Sequence, residues 1–171
     1  MNWLWIGITL ISALGMGGFY YLMELSPKGL RGMQVEGKPF QMPDMRLHYG
    51  AEALYAGFAQ AGDNRPRMRR YWLLDFGFIV CFLGVMLAIG RNIAHANDTL
   101  RWWMAVAACA RAALDILENL LLLSLLRAYP ACRDGWAAFA GWVTTAKYLC
   151  LFAWVAALFV NLFGSAFGIQ L

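Results

Sequence analysis

Apolar residues in this chain come in long unbroken runs, not in short alternating ones. Four stretches hold about 20 or more mostly apolar residues, the length a helix needs to cross roughly 30 Å of hydrocarbon. They are 3–23, 71–90, 102–126 and 136–163. Runs of this length predict helices; a membrane β-barrel would show ten-residue alternations instead. Aromatic residues mark most of the edges (Trp3, Trp5, Tyr20, Tyr21, Tyr71, Trp72, Trp102, Trp103 and Trp136), as an interfacial belt requires. The expected architecture is a single all-α membrane domain over residues 1–171, with four transmembrane helices. The first stretch carries no charge, and Met1-Asn2 supplies no basic n-region, so it reads as a retained helix and not as a cleaved signal peptide.

Between the first two runs lies a long connection, 24–70. Its first half is rich in Gly and Pro and reads as irregular. In its second half Leu54, Tyr55, Phe58 and Ala61 recur at helical spacing, and Gly62 follows as a terminator. An amphipathic helix over about 51–61 is expected, lying at the cytoplasmic interface. Two readings of the loop stay open: it folds back for packing, or it forms a lid over a site in the bundle.

Composition agrees with the patterning. Hydrophobic residues make up 61% and charged residues 14%, against roughly 45–50% and about 25% in soluble domains. That excludes a disordered chain, a secreted disulfide scaffold and an ordinary cytosolic enzyme. Of the 14 basic residues, Lys28, Arg31, Lys38, Arg46, Arg65, Arg67, Arg69 and Arg70 fall in 24–70, and Arg127 and Arg133 in the third connection. The positive-inside rule then places loops 24–70 and 127–135 in the cytoplasm and both termini outside, with the bacterial cytoplasmic membrane as the expected location. Topology and contact with membrane lipids account for the net charge of +4, so no nucleic-acid partner is expected.

Several chemistries are unsupported. Cys81, Cys109 and Cys150 lie in separate runs and Cys132 in a connection, with no C-x-x-C pair. His48 and His95 lie in connections, so neither a haem within the bundle nor a zinc site is expected. No cofactor and no metal is predicted.

Ionisable residues within spanning segments cost about 2.5–3.5 kcal/mol each on insertion scales and by default face the bundle interior. Here they are Asp75, Arg111, Asp115, Glu118 and Lys147. At about 100° per residue, Asp115 falls near +40° from Arg111, Glu118 near −20° and Asn119 near +80°. These four therefore share one stripe, continued by Met104, Ala108 and Leu122. In the fourth run Thr144 and Lys147 are neighbours on one face. Glu118 lies about 13 Å along the helix from Arg127, and Lys147 about 16 Å from Trp136, so the two faces match in depth. The candidate site is Glu118 and Asp115 as acid/base groups, with Arg111, Asn119, Thr144 and Lys147 as ligand-binding groups. Asp75 is a further ligand-binding candidate, although it points roughly 200° away from Gly77 in the small-residue stripe Gly77, Cys81, Gly84 and Ala88. Ser12, Gly15 and Gly18 of the first run read as helix-packing residues.

Asp75, then Asp115-x-x-Glu118-Asn119, Tyr129-Pro130 and Thr144-x-x-Lys147 form a pattern that resembles a group of small four-helix bacterial membrane proteins with unassigned function. The resemblance covers the last hundred or so residues and implies a fold, not a chemistry. Three functions are compatible with the residues. One is a site that binds a lipid or amphipathic small molecule, with its modification there left open. A second is a proton-coupled small-molecule transporter subunit, acting as a homodimer. The third is a non-catalytic subunit or assembly factor whose charged stripe faces a partner membrane subunit.

Overall fold

The computed structural model describes residues 3–35, 38–93 and 98–166; His95 and the C-terminal tail lie outside them. The protein is all-α. Helix α1 (Trp3–Tyr20) runs into a single π-helical turn, Tyr21–Leu25. Helices α2 (Ala51–Ala61), α3 (Arg65–Ile93), α4 (Asp98–Ala128) and α5 (Asp134–Ala166) follow. The long connection adds one small antiparallel pair, β1 (Gln34–Val35) on β2 (Lys38–Pro39), in the register Gln34↔Pro39 and Val35↔Lys38. The segments Trp3–Leu25, Ala51–Asn92 and Asp134–Phe163 are long and apolar enough to cross a membrane.

The boundaries follow local chemistry. Gly62 caps α2 at φ +47°, a left-handed value that any Cβ would oppose. The basic run Arg65–Arg70, expected in the connection, instead forms the first turns of α3. Pro66 permits this, because the first helical turn has no partner for the N–H that proline lacks. Helix α2 buries Leu54, Phe58 and Ala61, and it packs against α5.

The long helices stand in chain order α1, α3, α4, α5, with the largest contacts between α4 and α5, α1 and α3, and α3 and α4. Helix α1 buries none of its residues and is held by α3 alone among its larger partners. The small-residue stripe of α3 receives it: Phe19 lies against Gly77, Gly15 against Cys81 Sγ, and Ser12 against Gly84. Each glycine leaves the space that a neighbouring side chain fills, so the backbones approach closely.

Two apolar cores fill the bundle. At the end that carries the long connection, Leu54, Phe58, Met68, Trp72, Leu122 and Ala140 pack with Met33, Met42 and Tyr49. At the opposite end Met86, Met104, Ala108 and Trp154 form a smaller core. The sequence between these two sets on α3, α4 and α5 supplies a buried polar layer. Outside, large apolar side chains stand exposed, including Ile11 at 75%, Leu14 at 76% and Val80 at 65%.

The α1–α3 contact makes a direct prediction. Gly77→Leu places a branched side chain where the Phe19 ring sits and should lower the unfolding temperature in detergent, by overpacking worth about 1–3 kcal/mol. Gly17→Leu, where a Cβ would meet nothing within 4 Å, should leave it unchanged.

Candidate functional site

The polar layer is built from four elements. From α4 come Arg111, Asp115, Glu118 and Asn119; from α5, Thr144 and Lys147; from α3, Asp75; and from the connection before α2, Tyr49 and Asp44. The helical spacing that places the α4 residues on one stripe is the spacing observed: Met104, Ala108, Ala112, Asp115, Glu118, Asn119 and Leu122 are all buried. Glu118, Asn119 and Thr144 are fully enclosed, at 0% exposure.

Lys147 is the hub. Its Nζ donates to Asp115 Oδ1 at 2.8 Å and also ion-pairs with Glu118 Oε2. Arg111, one turn before Asp115, pairs with the other Asp115 oxygen at 3.0 Å and stacks its guanidinium 4.3 Å from the Phe82 ring centroid. Glu118 Oε1 accepts from the Thr144 hydroxyl and from the Tyr49 hydroxyl, the latter at 3.2 Å. Two cations therefore face two carboxylates, and charge-assisted hydrogen bonds complete the network. Asp75 does join it, because Asn119 Nδ2 donates to its Oδ2 at 2.7 Å. The carbonyl of Asn119 is buried without a hydrogen-bond partner.

The connection, for which packing and a lid over the bundle were the two expected readings, contributes side chains that helical spacing does not place. Residues 40–50 run as a strap over one face of α5. Tyr49's carbonyl oxygen lies directly against Gly141, in the space that a Cβ there would occupy. Thr145 Oγ1 donates to the Leu47 carbonyl at 3.0 Å. His48 Nδ1 lies 3.2 Å from the Gly141 carbonyl, which can only accept, so the Nδ1–H tautomer fits; its ring packs 5.0 Å from Trp142. Tyr148 donates to the Asp44 carbonyl at 3.5 Å. Gly141, Thr145 and Tyr148 recur every three to four residues, so they form a docking face beside the one that carries Thr144 and Lys147. Met42, Pro43, Asp44 and Tyr49 are buried by this docking.

Two cavities lie away from this layer, one of about 1000 Å³ near Arg65 and Arg127 and one of about 380 Å³ near Trp5 and Trp102. The polar layer itself is closed by the strap. No protein-family model, no curated protein and no solved structure matches the chain.

Asp44 is a special member. Burial pushes its carboxyl above the usual range; Lys147 and the Trp72 indole oppose this, and Asp115 adds to it. Its Oδ1 has no hydrogen-bond partner. A carboxyl whose folded-state pKa is raised favours folding most at low pH, and that contribution fades as pH climbs from the ordinary value of about 3.9 through the raised one. Asp44→Asn, neutral at every pH, should therefore gain in unfolding temperature over wild type as pH rises from 5 to 8. A pH-independent difference would contradict the assignment.

Removing the hub should be costly. Lys147→Met leaves Asp115 and Glu118 buried without their shared cation, and a loss of about 3–5 kcal/mol is expected in detergent denaturation. Thr145→Val, which removes only a strap contact, should cost far less.

Proposed function

We propose that the chain is an integral membrane protein with four spanning helices and that its polar layer is a closed site for a lipid or another amphipathic small molecule. Helix α4 is the fourth span in this reading. Its outward residues Val106, Ile116, Leu117 and Leu120 are apolar and exposed, while Arg111, Asp115 and Glu118 turn inward. The exposed apolar faces of the long helices would then meet membrane lipid, and α2 would lie at the cytoplasmic interface. Loops 24–70 and 127–135 share the cytoplasmic side, with the termini opposite. Cys132, exposed in the second of these loops, should react with a membrane-impermeant maleimide only from that side.

One observation carries the functional reading: the layer is sealed by a loop strap and not by a helix. A buried network that serves only to pair helices needs no residue from a loop, whereas here Tyr49 completes the shell of Glu118. The strap is held by the burial of Met42, Pro43 and Tyr49 as well as by polar contacts to α5, yet as a single irregular segment it opens at lower cost than a helix separates. When it opens, Arg111 and Lys147 would take the polar end of the ligand and Asn119, Thr144 and Asp75 would hydrogen-bond it. Glu118 and Asp115 are the groups we assign to proton exchange. The assembly-factor reading has less support, since this chain's own α5 and strap already occupy the charged face of α4. No internal repeat favours the transporter reading.

The test is native mass spectrometry after incubation with an extract of host membrane lipids. Gly141→Val, whose side chain needs the position of the Tyr49 carbonyl, should lift the strap and raise ligand uptake above wild type. Adding Glu118→Gln should abolish the gain. If neither wild type nor Gly141→Val takes up any amphiphile, the reading fails.

A further inference from the structure

The larger cavity, about 1000 Å³, is a groove between the first turns of α3 and the last turns of α4. Its walls are ordered by polarity. Along α3, Arg65, Arg69 and Leu73 follow at intervals of four residues and so lie on one face. Along α4, Arg127 and Leu123 do the same. The helices are antiparallel, so three guanidinium groups gather at the end of the bundle that carries the connection. The leucines lie about 6 Å deeper, four residues at 1.5 Å each.

The cations are available. Arg65 uses its Nε on the Gly62 carbonyl at 2.9 Å and stacks 5.3 Å from the Tyr129 ring centroid. Arg69 and Arg127 are exposed, and none of the three is ion-paired to a described residue. One carboxylate, Asp63, stands on the rim, so positive charge prevails by three to one. Leu73 is half exposed and gives the groove an apolar wall.

A free anion would use the arginines and leave Leu73 and Leu123 unused, and an apolar helix would use the leucines and strand the arginines. We propose that this groove binds one anionic phospholipid, with its phosphate held by Arg65, Arg69 and Arg127 and the start of an acyl chain against Leu73 and Leu123. The gradient from bidentate phosphate-matching donors to aliphatic wall is the gradient of that molecule from headgroup to chain. The inference rests on the membrane reading above, but it is independent of the buried cluster.

The experiment is titration of the purified full chain, in uncharged detergent, with dioctanoyl phosphatidylglycerol, dioctanoyl phosphatidylcholine and inorganic phosphate. Phosphatidylglycerol should bind at least about tenfold more tightly than either of the others. Arg69→Gln with Arg127→Gln should remove that preference, and Arg69→Gln alone should reduce it. Leu73→Ser should weaken phosphatidylglycerol without affecting inorganic phosphate. Arg46→Gln, an exposed cation of the strap, should change nothing. Glu118→Gln should leave this binding intact even if it abolishes uptake at the buried site, so failure at one site is distinguishable from failure at the other. Equal binding of the two phospholipids, indifference to the arginine substitutions, or inorganic phosphate binding as tightly as the lipid would each overturn the proposal.

Discussion

A single ammonium group holds two carboxylates in the middle of the bundle, and most of the architecture follows from satisfying it. Lys147 reaches Asp115 and Glu118 on α4 together, which fixes the axial position of α5 against α4 to within the length of one hydrogen bond. Leucine and alanine contacts above and below would tolerate a slip of one helical turn; this pair of contacts would not. Arg111 then balances the second oxygen of Asp115, and Thr144 and Tyr49 take up Glu118. Once these charges are buried, each further polar atom needs a partner, because an unpaired one costs more in this setting than a pair gains. Asn119 meets that need in part, donating from Nδ2 to Asp75 across to α3 while its own Oδ1 stays unpartnered.

The same requirement explains the strap. Glu118 lies between α5, which supplies Thr144 and Lys147, and the connection, which supplies Tyr49. Tyr49 contributes an aromatic body packed in the apolar core and a hydroxyl at the carboxylate, a division of labour suited to a boundary between polar and apolar layers. Gly141 lets the backbone of the strap lie directly on α5, and the polar contacts of His48 and Thr145 fix its path. The strap is thus held both by these polar contacts and by the burial of Met42 and Tyr49 in the apolar core.

The helices and the polar stripe were legible because they obey periodicity. The 3.6-residue repeat places Arg111, Asp115, Glu118 and Asn119 together without knowledge of the partner, and matching depth brings Lys147 to them. The small-residue stripe of α3 likewise announced a close neighbour, which proved to be α1 through Phe19, Gly15 and Ser12. What remained illegible lay in irregular backbone. Nothing in the spacing of Asp44, His48 and Tyr49 indicates that they fold onto α5, because a strap has no period and its contacts are separated by about a hundred residues of chain. Asp75 is ambiguous in sequence for a related reason: its own helix does not show its partner, the side-chain amide of Asn119, which reaches across from α4.

The polar layer also bears on how such a chain enters a membrane. Helix α4 presented alone would expose Arg111, Asp115 and Glu118 to hydrocarbon, at about 2.5–3.5 kcal/mol for each charge. Helix α5 alone would expose Lys147. Joined by the short turn from Tyr129 to Arg133, the two helices neutralise one another before either meets lipid. For the membrane protein proposed here, α4 and α5 therefore form one unit of biogenesis, a hairpin that leaves the insertion machinery together. A ribosome halted before α5 emerges would leave α4 without a stable place in the bilayer.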